Sequence, residues 1–265
     1  MSFLRLPRRN EQQLRNAAQE AFDYLYAQIP TTAAVEGERF LELGHFEALA
    51  AATHLRLDDL SIYLLAFAVD ESAKSIYKIS EKHFVAWLGG LTPALSHTAA
   101  PPCKENGYAS LFAAAHDAVV ALNNTIRTSE ERRNKFYQFL YNWCLKGNTS
   151  SDRVDSAKEL WSCFFSRLPV SHTPSEGQQR FSAYVFFPRI GQWLDFIEAR
   201  NDAAAVGKSG KLGIEQSGVS FDTWAQLVPF AQFTNYDAYN DEDSWPVTMD
   251  DFVAYVQKTS KGKTT

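Results

Sequence analysis

The chain has 265 residues, 45% hydrophobic and 14% aromatic, enough apolar material for one sizeable core or two closely packed subdomains. Its net charge of −5 argues against a nucleic-acid or anionic-membrane surface, which needs clustered Lys and Arg, and suits an acidic patch that meets a basic protein. Cys103, Cys144 and Cys163 share neither CxxC nor metal-ligand spacing, which argues against a disulfide framework or zinc site and favours a reducing compartment.

From the N-terminus, Met1 to Pro7 lacks the apolar core of a signal peptide, and no apolar run reaches the length of a membrane span, so cytoplasm and nucleus are the expected locations. Leu14, Ala17, Ala21, Tyr24 and Leu25 recur at steps of three and four, which predicts an amphipathic helix. Leu57, Leu60, Leu64, Phe67 and Ala68 repeat the pattern. Further helices are predicted over Glu81–Gly89, Ala109–Ile126, Glu130–Cys144, Ser151–Phe165, Pro188–Arg200, Asp222–Phe233 and Met249–Val256. Strand signals are few and short, so the expected class is all-α. Breaks are expected at the Pro-rich Thr92–Pro102, at Pro169–Gln179 and at the Gly-rich Gly207–Gly213. No change of composition flanks them, so a single helical domain of two lobes is expected.

Several motifs dissolve on counting. Ala205-Val206-Gly207-Lys208-Ser209 looks like the end of a phosphate loop, but Asp202 stands where the first Gly is required and the preceding residues read as helix. Ile79–Phe84 and Val247–Phe252 read like second halves of EF-hands, a short extended step into a hydroxyl-capped helix. With Thr248 at the ninth loop position, positions one, three, five, six and twelve are Asn240, Glu242, Ser244, Trp245 and Asp251, so Trp245 replaces the turn glycine. The same register on Ser80 gives Ser72, Lys74, Ile76, Tyr77 and His83. No calcium binding is expected. The histidines form no HxxxH pair, and no nucleophile, base or cofactor constellation stands out, so neither a metal nor a cofactor is expected. Cys144 and Cys163 read as core thiols, whereas Cys103 lies beside two prolines. A small thiol hydrolase using Cys103 with a distant histidine is therefore the rival class. In the acidic run Asp237–Asp251, the helix dipole accounts for Asp250 and Asp251. It leaves the aromatic anchor Trp245-Pro246 unexplained.

The stretch from Asn240 through Trp245-Pro246-Val247 to Asp250-Asp251-Phe252-Val253 resembles the Y-D-E-(D/E)-x-A-W-P-V-x-x-D-D-F-V segment that closes the potentiating-neddylation (DCUN1, PONY) domain of the defective-in-cullin-neddylation family. Other landmarks follow in order. Leu55–Ala68 resembles "LALDP.SI..L..AW", Ile79–Phe84 "FS..EF", Lys135–Asn142 "FKDFYQFTFNFA", Ala157–Trp161 "A..YW", Arg189–Ile197 "LDLWNKFL" and Asp222-Thr223-Trp224 "KDTWNLL". By this resemblance residues 1–30 are an N-terminal helix leading into the core and 31–257 the DCUN1 domain, while 258–265 reads as a disordered tail.

The resemblance implies two EF-hand-like lobes and a scaffold-type neddylation co-ligase, a monomer with no catalysis of its own. Such a protein holds a cullin's C-terminal winged-helix region and the N-terminally acetylated conjugating enzyme together, raising effective concentration. Carried over by position, the cullin-facing patch is Asp222, Ser244 and Asp250. The acetyl-methionine pocket is Leu64, Leu65, Phe67, Ala68, Ile79, Phe84, Trp143, Leu160 and Phe164. The chain departs from the family at Ser244, where a small Ala is usual, at Glu71, where the pocket helix has Phe, and at Ala48, where a pocket position upstream has Ile. The family's ubiquitin-binding three-helix domain is not expected, nor is ubiquitin binding. A divergent EF-hand-like interaction protein is the other alternative.

Overall fold

The computed structural model describes residues 8–29, 37–74, 76–91, 108–169, 181–205, 219–240 and 244–261. Cys103, the 92–102 segment, the 207–213 loop, residues 170–179, residues 241–243 of the acidic run and the last four residues of the expected tail lie outside them. The described residues form ten α-helices and two pairs of two-residue strands, the all-α class expected. They fall into two compact units, Met1–Arg132 and Arg133–Thr265.

In the first unit, α1 (Arg8–Tyr26) packs on α4 (Glu81–Gly90). Its buried stripe is Ala18, Ala21, Phe22 and Leu25, spaced for one helix face. Tyr24, expected on that face, is 43% exposed and instead stacks on Tyr108 at 5.3 Å. A charged clasp closes the edge of this pair. Arg39 bonds Asp23 at 2.7 Å and Glu81 at 2.5 Å, while the Gln19 amide donates to Glu81 at 2.7 Å.

Strand β1 (Phe40–Leu41) pairs antiparallel with β2 (Ile79–Ser80), which runs straight into α4 with Ser80 Oγ accepting from the His83 N–H. The extended step into a capped helix is thus present here. Helix α2 (Phe46–Thr53) ends at His54, whose φ of 54° gives a left-handed cap. Helix α3 (Ser61–Val69) starts four residues later than the Leu57 periodicity predicts. The reason is local: Asp59 accepts from the Ser61 N–H at 2.8 Å, and Ser61 Oγ bonds both backbone groups of Arg56. Those bonds hold residues 57–60 in a turn and leave Leu57 half exposed. Helix α5 (Ala109–Thr128) packs Phe112, Ala115 and Val119 within the unit, in contact with α2 and α3.

Helix α6 (Glu130–Leu140) leads into a π-helical turn over Tyr141–Leu145, four of whose five residues are buried. The second unit then adds α7 (Ser150–Phe164), α8 (Ile190–Ala205), α9 (Phe221–Phe230) and α10 (Val247–Lys261), with β3 (Phe165–Ser166) parallel to β4 (Val185–Phe186). Thr149 and Ser220 cap α7 and α9. Its centre is an aromatic cluster of fully buried Trp161, Trp193 and Trp224 around Tyr137. Tyr137 stacks on Trp224 at 4.5 Å, and its oxygens take both neighbouring indoles: Trp161 Nε1 donates to the hydroxyl at 2.8 Å and Trp224 Nε1 to the carbonyl at 2.9 Å. Burial pushes the Tyr137 hydroxyl well above its ordinary pKa, with the Trp161 bond opposing.

Two expectations change in this unit. Val247–Phe252 is helical from its first residue, so the extended step read there is absent, because Thr248 is spent on buried contacts inside the helix turn. Helix α10 also runs to Lys261 rather than stopping at Val256, since Val256 is buried and Thr259 Oγ1 bonds the carbonyls of Tyr255 and Val256. No helix among the described residues is long and apolar enough to cross a membrane.

Candidate protein-binding sites

Asp222 is exposed in the first turn of α9, and Asp250 is half-buried in the first turn of α10, where the free N–H groups and the dipole favour carboxylates. Ser244 is exposed just before Trp245, which packs edge-on against Phe230 at 5.5 Å. Beneath the two aspartates, Thr223 Oγ1 donates to Thr248 Oγ1 at 3.3 Å, and Arg200 Nη1 donates to the same Thr248 oxygen at 2.5 Å. Both threonines are buried. Their contact lies one residue after Asp222 and two before Asp250, so the N-terminal turns carrying the expected patch adjoin. The Tyr239 hydroxyl bonds Asp250 directly. Burial raises the Asp251 carboxyl, Arg200 at 4.0 Å opposes this, and the Asp250 charge adds to it.

Tyr239, Arg200 and the threonine pair were missed by the sequence reading. Tyr239 carried a weak signal as an aromatic inside the acidic run. Arg200 carried none, because it lies 48 residues before Thr248 in the chain.

The apolar set splits by unit. In the first, Leu64, Leu65 and Phe67 are buried on α3, Ile79 on β2 and Phe84 on α4, while Ala68 is half-buried. The Arg132 guanidinium lies 4.9 Å over the Phe67 ring and pairs with Glu71 at 2.7 Å. In the second unit, Trp143 stacks on Phe139 at 5.7 Å and Phe164 meets Tyr137 at 4.6 Å, with Leu160 buried as well. The first unit also opens a cleft of about 230 Å³ between Leu43, Phe46, Leu57, Ile62 and Tyr77, at the opposite end of α3 from Phe67. It uses none of the expected pocket residues.

Residues 114–255, more than half of the chain and all of the α9–α10 acidic surface, match the family model described as Cullin binding. The chain belongs to the cullin-binding family. Within that family it is similar to Defective in cullin neddylation protein 1 of Cryptococcus neoformans, 32% identical over 123 residues, which cover 43% of this chain and 37% of the relative. It is similar to the protein of the same name in Caenorhabditis elegans, at 24% over 146 residues, 52% of this chain and 43% of the relative. Defective in cullin neddylation protein AAR3 of Arabidopsis thaliana is 24% identical over 123 residues, 46% of this chain and 31% of the relative. The match spans less than half the length of each of these relatives. The cullin-binding match begins inside α5, so the α3 apolar set precedes it in the chain.

Proposed function

We propose that this chain is a non-catalytic scaffold that binds a cullin and the neddylation conjugating enzyme and thereby promotes cullin neddylation. The observation that carries the reading is the pair of acidic helix starts, Asp222 and Asp250, whose turns are joined through Thr223 and Thr248 inside the family-matched region. A basic cullin surface would form charge-assisted bonds to carboxylates already oriented by Tyr239 and the helix ends. The names of the relatives, which refer to cullin neddylation, support the same reading. The acidic character of the whole chain is compatible with it.

The second binding role falls to the α3 face. The family resemblance assigns the partner's first methionine to Leu64, Leu65, Phe67, Ile79 and Phe84, apolar side chains that are buried in the folded chain. That methionine contributes roughly 1.5–3 kcal/mol on burial. A protonated amino terminus would cost several kcal/mol in such surroundings, on the order of an unpaired buried charge, so the acetylated terminus is the form that fits. Acceleration then comes from holding acceptor lysine and modifier donor on one molecule.

Charge reversal tests the cullin role. Asp222→Arg with Asp250→Arg should weaken capture of a cullin C-terminal region by roughly tenfold or more while leaving the helical circular-dichroism signal unchanged. Undiminished capture by the folded double variant would overturn the assignment.

A further inference from the structure

We propose that Phe221 and Val247 are an apolar anchor within the acidic α9–α10 surface, and that the cullin face docking there carries an exposed apolar side chain among its cations. The inference rests on the cullin-binding reading above and adds to it the residues that hold the complex once charge has brought the partners together.

Phe221 and Val247 are the first residues of α9 and α10, and they are 46% and 67% exposed. Leu168, Phe186, Phe221 and Val247 are the exposed large apolar side chains among the described residues of the second unit, so two of the four stand on these two helix starts. Single exposed apolar residues are ordinary, but tertiary contact brings this pair to adjoining turns. That contact is the bond from Thr223 Oγ1 to Thr248 Oγ1 at 3.3 Å, two residues after Phe221 and one after Val247. Asp222 is exposed directly after Phe221, and Asp250 follows Val247 by three residues, the spacing of one helix face. The apolar pair therefore sits among the carboxylates, and both residues fall inside the cullin-binding match.

Phe221 is also held in place. Its ring meets Tyr141 edge-on at 5.1 Å, and Tyr141 is buried in the π-helical turn. A ring packed on one side and open on the other loses little freedom when a partner covers it. Phe221 stands at the Lys of the "KDTWNLL" landmark, so a cation that would offset Asp222 is replaced by an apolar surface.

The two kinds of side chain divide the work. Carboxylates steer and orient a basic partner, but exposed charge pairs add little net affinity. Interfaces concentrate their binding energy in a few apolar contacts ringed by polar groups, which is the arrangement of Phe221 and Val247 beside Asp222 and Asp250.

The test is the binding kinetics of the full chain on an immobilised cullin C-terminal region, at low and at physiological salt. Phe221→Ala should raise the dissociation rate roughly tenfold and Val247→Ser roughly two- to fivefold, with the association rate and its salt dependence unchanged. Asp222→Asn should instead lower the association rate and flatten its salt dependence. Phe221→Leu, which keeps much of the apolar area, should restore most of the residence time. Val247 is mostly exposed, so Val247→Ser decides the matter even where loss of the Tyr141 contact unfolds Phe221→Ala. A wild-type dissociation rate in Val247→Ser, or in folded Phe221→Ala, overturns this inference alone. Failure of the wild-type chain to bind the cullin region overturns the cullin reading and this inference with it.

Discussion

At the scale of single residues, the second unit shows how buried polar atoms are handled in an aromatic core. Tyr137 is enclosed, yet both its oxygens are used by indole N–H groups, so the cluster gains area without an orphaned hydroxyl. Tyr236 is buried between α9 and α10, where burial pushes its hydroxyl up to about 12 and the nearby Arg189 opposes the shift. Both tyrosines hold their protons more tightly folded than unfolded. Unfolding therefore releases protons once the pH exceeds the ordinary tyrosine value near 10, and stability falls as pH rises from there through about 12. Below pH 10 the two groups contribute no slope. The expected outcome is that Tyr236→Phe makes the decline in denaturant midpoint between pH 10 and 12 shallower than in wild type. An identical alkaline slope in the variant would show that Tyr236 does not carry this linkage.

At the scale of elements, the proposed cullin-facing surface depends on where two helices begin. Ser220 is the N-cap of α9: its Oγ accepts from the Thr223 N–H at 3.0 Å and also bonds Thr223 Oγ1 at 3.0 Å. Thr223 in turn reaches Thr248 of α10. Removing the cap therefore loosens both helix starts and the pair of aspartates on them. Ser220→Ala should cost about 1 kcal/mol of stability, the usual value of a lost hydroxyl cap. It should also weaken cullin capture, because Asp222 lies between the cap and Thr223. Thermal denaturation and capture measured on the same variant check both parts; a full cap loss without any effect on capture would separate the helix start from the surface.

At the scale of the whole molecule, the first-unit loop that the sequence sets beside an EF-hand pattern uses its side chains on its own contacts. In the first unit Asp70 accepts from Ser72 and pairs with His83 at 2.9 Å, so the carboxylate nearest a would-be cage is spent on its own loop. Tyr77 occupies the position that a calcium loop reserves for glycine, and takes it at a φ of 48°, a conformation costing roughly 1–2 kcal/mol for a side chain of its kind. Calorimetry with millimolar calcium should show no saturable heat and no change in Tm; a calcium-dependent Tm shift would overturn the assignment.

What the sequence by itself determined is the part encoded over short distances. Helical reading located nine of the ten helices among the described residues, because a buried stripe such as Ala18, Ala21, Phe22 and Leu25 repeats within a turn or two. Family membership was legible for the same reason, since ordered landmarks survive as local patterns, and Asp222 and Asp250 could be placed at helix starts from their neighbours alone. Short α2 went unread because its Ala-rich turn gives little contrast between faces, and the start of α3 was misplaced because an Asp59–Ser61 turn overrode apolar spacing. The tertiary structure alone decided the partners. Glu71 finds Arg132 across 61 residues, and Arg200 finds Thr248 across 48. Pairings of that length leave no period in the chain, so a carboxylate that reads as an open rim charge in the sequence becomes, once folded, the anchor of a cation.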